Sequence, residues 1–429
     1  MRPTIDATPL AHSLPLAQPA LIDPSAAPAS SASASAAASA TLSPTMPSVL
    51  FVDQSGQLGG AEFALLQLTS SCTTRSEVVL LSDGPFRARL EALGARVQVL
   101  NDVRVSGIAR QASGLNCLRV VPGILRQVRA IAARTRTFDV LFLNTQKALV
   151  LGALGKPLHR KPVIWNQHDI LTREHFGPVQ LCVIKWLVRL AVDHVVANSQ
   201  ASKRSLIALT GIAADSVPVI YNGIDADAFK RIDSSDMAAL RRRLGLPEHT
   251  WLAGLFGRLA PWKGQHIALE AMARLPGGHL VLVGAPLFGE EAYAQRLHEQ
   301  AEVLGVADRV HFAGFQDDVP AWMKAMDAIL HTSTEPEPFG RVIVEGMAAA
   351  RPVIAAAAGG VTEIVRHQRN GWLVKPGDVA ALADAISALR ADPAMAQRLA
   401  DQALADAQTE FSVDQYLQRM MQAIRHAAR

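Results

Sequence analysis

Glu335-Pro-Glu337-Pro-Phe339-Gly340-Arg341-Val-Ile-Val-Glu345-Gly-Met-Ala348 is the densest stretch of the chain in chemistry-bearing residues. It follows Ala328-Ile-Leu-His-Thr-Ser333, an apolar run with a polar end that reads as a buried strand. Pro338 and Gly340 then mark the start of a helix. That frame leaves Glu337 in the loop and Glu345 inside the helix. Eight helical residues span ~12 Å at 1.5 Å per residue. Between the two acids, the N–H groups at the helix start suit a phosphate-like anion. Taken alone, two acids eight apart mean little in a chain with 38 of them. Surface acids near a helix start are the plain alternative.

Outward from this stretch, short apolar runs ending in glycine or polar residues recur along the chain. Upstream lie Trp251–Gly257, His279–Gly284 and Arg309–Gly314, and downstream Pro352–Ala356. An earlier series runs through Ser48–Asp53, Glu77–Ser82, Ala95–Leu100, Asp139–Asn144, Pro162–Gln167 and His194–Ser199. Helical stretches separate most of them, which argues for parallel sheets wrapped by helices. The expected class is α/β: two Rossmann-like domains facing each other across a cleft. Their bounds are 47–225 and 249–410, joined by a polar linker at 226–248 and followed by a terminal helix at 411–429. No GxGxxG fingerprint is present, so a dinucleotide dehydrogenase is not expected.

Composition narrows the classes further. The 429 residues are 49% hydrophobic and only 5% aromatic. Cys72, Cys117 and Cys182 stand far apart, which excludes a disulfide scaffold or zinc finger. No basic–aromatic stripe suggests nucleic acid. The most apolar run, Leu181–Val192, is broken by Lys185 and Arg189 and is too short to span a bilayer. Residues 1–46 are rich in Ala, Ser and Pro, without the basic start or apolar block of a signal peptide. They read as a disordered tail.

With these residues in place, Glu337 and Glu345 resemble the Glu-x7-Glu motif of retaining glycosyltransferases of the GT4-type family, which have the GT-B fold. Gly257-Arg258-Leu-Ala-Pro-Trp-Lys263-Gly looks like that family's phosphate-binding Arg/Lys pair. Tyr221-Asn-Gly-Ile-Asp225 resembles its hinge signature, and Phe411-Ser with Tyr416-Leu its terminal helix. The resemblance runs from Val49 to about Ile424. Two departures stand out: Ala350 where the family usually has glycine, and Gly346 where it usually has alanine. Both residues are small, so a local backbone adjustment is expected.

The resemblance implies a hexosyl transfer from a nucleotide diphosphate sugar (UDP, GDP or ADP) to a glycan or lipid-linked hydroxyl. Glu345 would bind the ribose, while Arg258 and Lys263 hold the diphosphate. Glu337, with Phe339, Gly340 and Arg341, would orient the donor. In the first domain Gly59-Gly60 resembles the family's glycine loop, with a simple tight turn as the alternative. His168, in Trp165-Asn-Gln-His-Asp169, matches its cleft-facing histidine, and Glu174 and His175 follow in a loop where acceptor contacts vary. No cofactor is implied. No metal is expected either: Asp225-Ala-Asp227 falls in the hinge signature and reads as linker. A nucleotide-sugar epimerase and a non-catalytic nucleotide-sugar-binding subunit share the architecture.

Charge divides unevenly. Residues 47–230 hold 21 Lys+Arg against 13 Asp+Glu, and residues 231–429 hold 20 against 23. Lys185 and Arg189 lie four apart, on one face of a helix that also carries Trp186 and Leu190. A cytoplasmic location with peripheral contact at the inner face of an anionic membrane is the expectation; an ordinary solvated basic edge is the alternative.

Overall fold

The computed structural model describes residues 46–100, 114–287 and 289–429. Apart from Met46, the expected tail lies outside these residues. In the first half, β1 (Val49–Asp53), β2 (Ser76–Leu80), β3 (Arg96–Val99), β4 (Val140–Leu143), β5 (Val163–Gln167) and β6 (His194–Ala197) form one parallel sheet. The second half repeats the plan with β7 (Leu252–Phe256), β8 (His279–Val283), β9 (Val310–Gly314), β10 (Ala328–His331), β11 (Val353–Ala356) and β12 (Trp372–Val374).

Strand order is β3-β2-β1-β4-β5-β6 in one sheet and β12-β11-β10-β7-β8-β9 in the other. Both therefore reverse direction beside their first strand, between β1 and β4 and between β7 and β10. A crevice opens at such a switch point, outside the carboxyl ends of the strands. The central strands are apolar because helices cover both their faces; every residue of β1, β4 and β7 is buried. Eleven strands coincide with the apolar runs in the sequence. The twelfth, β12, has three residues and only Val374 buried, so no run announces it.

Residues 226–248 are more than a tether. They include helices Ala226–Lys230 and Met237–Arg243, with the Asp225 and Asp236 side chains as N-caps. Phe229, Leu240 and Leu246 are buried in the second half's core. Arg241, also buried, donates to the Ala325 carbonyl (2.9 Å) and to Asp327 (2.8 Å). Of the polar residues that suggest a linker, Asp236 is a helix cap and Arg241 an anchored guanidinium, while Asp227 with Lys230 and Arg242 with Glu248 form exposed pairs.

Helix Val413–Ala427 packs on the other half. Its Tyr416, Met420 and Ile424 join the core of the first sheet, and the Tyr416 hydroxyl donates to the Ala64 carbonyl at 3.1 Å. The chain thus crosses between halves twice. At the crossing the Ile224 N–H donates to the Phe411 carbonyl at 2.9 Å. A Cβ on Gly223 would stand 2.6 Å from the Val413 backbone, so the two passages touch only because residue 223 is glycine.

The two departures at 346 and 350 have distinct consequences. Ala350 takes φ 54°, a left-handed conformation that glycine adopts without strain. At Gly346 an added Cβ would meet Ile329 at 3.1 Å, so the helix lies close on β10.

Candidate functional site

Lys263 and Glu337 meet at the second switch point. Lys263 ends the turn Pro261–Lys263 after β7, and Glu337 lies in the loop after β10. The Lys263 ammonium stands 2.9 and 2.7 Å from the two Glu337 oxygens. Ser333 Oγ donates to Glu337 Oε2 at 3.0 Å, and His331 Nε2 lies 3.3 Å from the same oxygen. Burial alone would raise this carboxyl's pKa. The Lys263 charge and the His331 hydrogen bond outweigh it and hold Glu337 far below the carboxylate range. Glu337 is therefore a fixed negative charge that holds the Lys263 ammonium beside the strand ends.

Glycine makes the approach possible. Gly264 takes φ 70°, and a Cβ there would stand 2.0 Å from the Thr332 carbonyl oxygen. The Thr332 hydroxyl in turn donates to the carbonyls of Lys263 and Gly264, each at 2.9 Å. Across the loop, the Gly360 N–H donates to the Glu337 carbonyl at 2.8 Å, and Gly359 at φ 65° packs on the same carbonyl. Arg258, two residues beyond β7, has its carbonyl held by Gln265 Nε2 at 2.9 Å.

Helix Arg341–Ala348 starts at Gly340, which has φ 100°. Its first N–H groups have no intrahelical acceptor, which gives the helix start its affinity for anions. Arg341 Nε donates to Glu345 Oε1 at 2.8 Å, one turn on. Burial pushes the Glu345 carboxyl up, and Arg341 offsets part of that rise. Phe339 points inward, stacked on Tyr221 at 6.0 Å and packed with Phe411. Only its backbone is placed to serve a ligand.

The first switch point is also polar. Asn144, directly after β4, donates to Asp53 Oδ2 (2.7 Å) and to the Ala61 carbonyl (3.1 Å). Its Oδ1 lies 3.1 Å from Asn166 Nδ2 and 3.0 Å from His168 Nε2. His168 Nδ1 is buried with no partner among the described residues. Desolvation pushes this imidazole down to about 4, so the ring is neutral at pH 7. Burial also raises the acids around it: Asp53 to about 6, and Glu62, which also faces the Asp53 charge, to about 8.

Gly59 precedes helix Gly60–Ser70, and an added Cβ would meet Glu62 Oε2 at 2.8 Å. Nothing stands within 4 Å of a Cβ at Gly60, so that side of the loop is open. Gly56 is the truly crowded glycine, 2.2 Å by the same measure from the Asp83 carbonyl.

Contacts across the cleft bring the two sets together. Arg341 lies 5.1 Å over the Phe63 ring, which belongs to the glycine-loop helix, and donates to the Gly223 carbonyl at 3.4 Å. His175 Nδ1 is 3.2 Å from Glu335 Oε2, joining the loop after His168 to the loop before Glu337. Asp225 and Asp227 stand apart: Asp225 caps its own helix and Asp227 pairs with Lys230 at 2.8 Å. Sequence reading omits Asp53, Glu62, Asn144, Asn166, His331 and Ser333. Most of these lie at or just beyond the polar ends of central strands, which was the available signal.

Known proteins share this fold. The family description "Glycosyltransferase Family 4" matches residues 58–228, and "Glycosyl transferases group 1" matches residues 236–406. The crystal structure of Anabaena HepE in complex with UDP and glucose is 38% identical, with TM-score 0.80, covering 89% of this chain and 100% of that one. A D-inositol 3-phosphate glycosyltransferase of Mycobacterium tuberculosis is 35% identical over 199 residues, 46% of this chain. That match spans 41% of the relative's own length. WaaG, a glycosyltransferase involved in lipopolysaccharide biosynthesis, shares the fold at 17% identity and TM-score 0.67, over 88% of this chain and 99% of that one. Matched over both halves, with the Lys263–Glu337 and Arg341–Glu345 pairs at its second switch point, the chain belongs to the GT4-type family of GT-B glycosyltransferases.

Proposed function

We propose that the protein is a retaining glycosyltransferase that moves a hexosyl group from a nucleotide diphosphate sugar to an acceptor hydroxyl. The partly buried Lys263–Glu337 pair beside the start of helix Arg341–Ala348 carries the reading. Positive charge and free N–H groups converge there, as a departing diphosphate requires. UDP-glucose is the first donor to test, because HepE, similar along its whole length, has been crystallised with it.

In this reading the Glu345 carboxylate takes the ribose hydroxyls, and Arg258 and Lys263 hold the diphosphate. Glu337 fixes Lys263, and the backbone around Phe339 and Gly340 orients the sugar. His168, a neutral ring held through Nε2 by Asn144, positions the sugar or the acceptor. The acceptor attacks the anomeric carbon on the face the nucleotide leaves. Its proton passes to the departing phosphate oxygen, and the protein's own cations take the part a divalent metal plays elsewhere. The acceptor is a glycan or a lipid-linked hydroxyl met at the inner face of a membrane, in cell-surface polysaccharide or glycolipid synthesis.

Incubation with UDP-, GDP- and ADP-sugars, with product anomers read by NMR, tests the assignment. Retained anomeric configuration and activity that survives excess EDTA are expected. Inverted product or metal-dependent turnover would overturn it. For the ribose contact, Glu345→Ala should weaken donor binding in calorimetry while the thermal unfolding profile persists. Unchanged affinity would remove that role.

A further inference from the structure

The first sheet has two helical layers, and they differ in charge. Helices Gly114–Thr135, Gln146–Leu154, Pro178–Ala191 and Gln200–Thr210 cover one face, with the short helix Lys156–His159 packed against them. Together these five helices hold ten Lys+Arg and no Asp or Glu. The opposite layer, Gly60–Ser70, Pro85–Ala92 and Val413–Ala427, mixes the signs, with Glu62, Glu91 and Asp414 beside Arg87, Arg89, Arg419 and Arg425. Asp193 and Glu77 pair with Lys156 and Arg134, and the excess of basic residues that remains suits a polyanionic surface.

Helix Pro178–Ala191 adds an apolar ridge. Leu181, Ile184 and Val188 face the core. Val179, Val183, Trp186 and Leu190 face outward, at relative exposures of 73%, 39%, 52% and 76%. Their spacing of four, three and four residues places them in one line along the helix, ~16 Å long at 1.5 Å per residue. Lys185 and Arg189 flank that line. The Arg189 guanidinium lies 5.9 Å over the Trp186 ring, and its Nη1 is tied to the Thr210 carbonyl at 3.0 Å. A ridge of aliphatic residues and one tryptophan, flanked by cations, is the composition of a helix that lies in a lipid interface. Among the described residues no helix is long and apolar enough to cross a membrane, so the contact is one of docking.

We infer that this layer docks the enzyme on an anionic bilayer, with the Val179–Leu190 ridge in the headgroup region and the acid-free helices above it. The inference deepens the lipid-linked acceptor reading and rests on it for its purpose. The ridge begins four residues after His175, which touches Glu335 beside the donor loop. A bilayer at the ridge therefore lies beside the mouth of the cleft, where a lipid-linked hydroxyl would enter. Charge complementarity decides the occupant: a second copy of the same layer would set cations against cations.

The test is partition of the full chain onto phosphatidylglycerol–phosphatidylcholine vesicles against phosphatidylcholine alone, at ~0.1 M salt, where the Debye length is ~10 Å. Binding to the anionic vesicles only is expected, with Trp186 fluorescence quenched by brominated lipid. Lys185→Glu with Arg189→Glu should lower partition by roughly a hundredfold, since each basic residue contributes about 1 kcal/mol. Val183→Asp with Trp186→Asp should lower it comparably. Both variants should keep wild-type hydrolysis of the sugar donor in vesicle-free solution, which also shows that they fold. Absent binding, or binding that both variants retain, overturns the inference and leaves the transferase reading standing. A wild-type dimer that Trp186→Asp dissolves, without vesicle binding, assigns the ridge to a second copy and equally overturns it. Vesicle binding without turnover of any nucleotide sugar would instead sink the transferase reading.

Discussion

Glu363 and Gln200 belong to different halves of the molecule, and the carboxylate of one caps the helix that the other begins. Oε2 accepts the Gln200 N–H at 2.7 Å, Oε1 accepts the Ala201 N–H at 2.8 Å, and the Tyr221 hydroxyl donates to Oε2 at 3.2 Å. Helix Val361–Ile364, which carries Glu363, follows directly on Gly359 and Gly360, the glycines packed on the Glu337 carbonyl. The loop after β11 that packs on Glu337 is thus tied to the other half through the Glu363 carboxylate. Glu363→Ala should lower unfolding stability by about 1 kcal/mol, as loss of a charged helix cap does. It should also raise the donor KM. An unchanged KM and midpoint would remove the tie.

Removing either member of the Lys263–Glu337 pair strands the other. If the proposed function holds, Lys263→Ala should abolish turnover, because the charge it removes would meet the leaving phosphate. It should also cost up to ~3 kcal/mol of stability, because the partly buried Glu337 carboxylate then keeps only Ser333 and His331 as partners. Lys263→Met combined with Glu337→Gln should regain most of that stability while staying inactive. Chemical denaturation of the three proteins decides the matter, and a double variant no more stable than Lys263→Ala would contradict it.

Glu62 makes the first half sensitive to alkali. Its carboxyl titrates near 4.5 in an unfolded chain and is pushed up to about 8 by burial and by the Asp53 charge. Between those values the folded protein holds a proton that the unfolded chain has lost. Its contribution to stability is therefore full below pH 4.5 and falls as pH rises toward 8, by at most ~1.4 kcal/mol per pH unit. Glu62→Gln should flatten that fall and raise the melting temperature at pH 8. A melting temperature that drops at pH 8 would show that Glu62 is ionised in the fold.

Ala350 offers a stabilising change. At φ 54° its Cβ crowds the following carbonyl, and glycine removes the conflict. Ala350→Gly should raise stability by up to ~1 kcal/mol, against the greater freedom glycine has in the unfolded chain. A lower unfolding midpoint would show that the surrounding turn relieves the strain already.

Much of this architecture could be read in advance because central strands buried on both faces must be continuously apolar. Val49–Asp53 and Ala328–His331, apolar runs that end in polar residues, are buried strands of this kind. Glu337 and Glu345 stand out beside a helix start, while Arg258 and Lys263 are singled out only by the family resemblance; the structure brings Lys263 onto Glu337. The polar nest around Asn144 was not legible, since Asp53, Asn144 and Asn166 are 91 and 22 residues apart in sequence and meet only through strand order. Glu363 was invisible for a similar reason: its partners are backbone N–H groups, which leave no trace in a side-chain pattern. Phe339 was placed in the right loop, but its neighbours Tyr221 and Phe411 turn its ring away from any ligand.

The hydroxyl of Tyr416 on the carbonyl of Ala64 has a consequence for how the chain comes to be folded. The first sheet cannot seal one of its faces until residues some 350 positions further on have been made, because Met420 and Ile424 fill that face. On the ribosome the first half must wait with an open apolar groove while the second half is completed. A fragment that ends before residue 413 would keep the strands and lose the lid, and it should bind chaperones or its own kind.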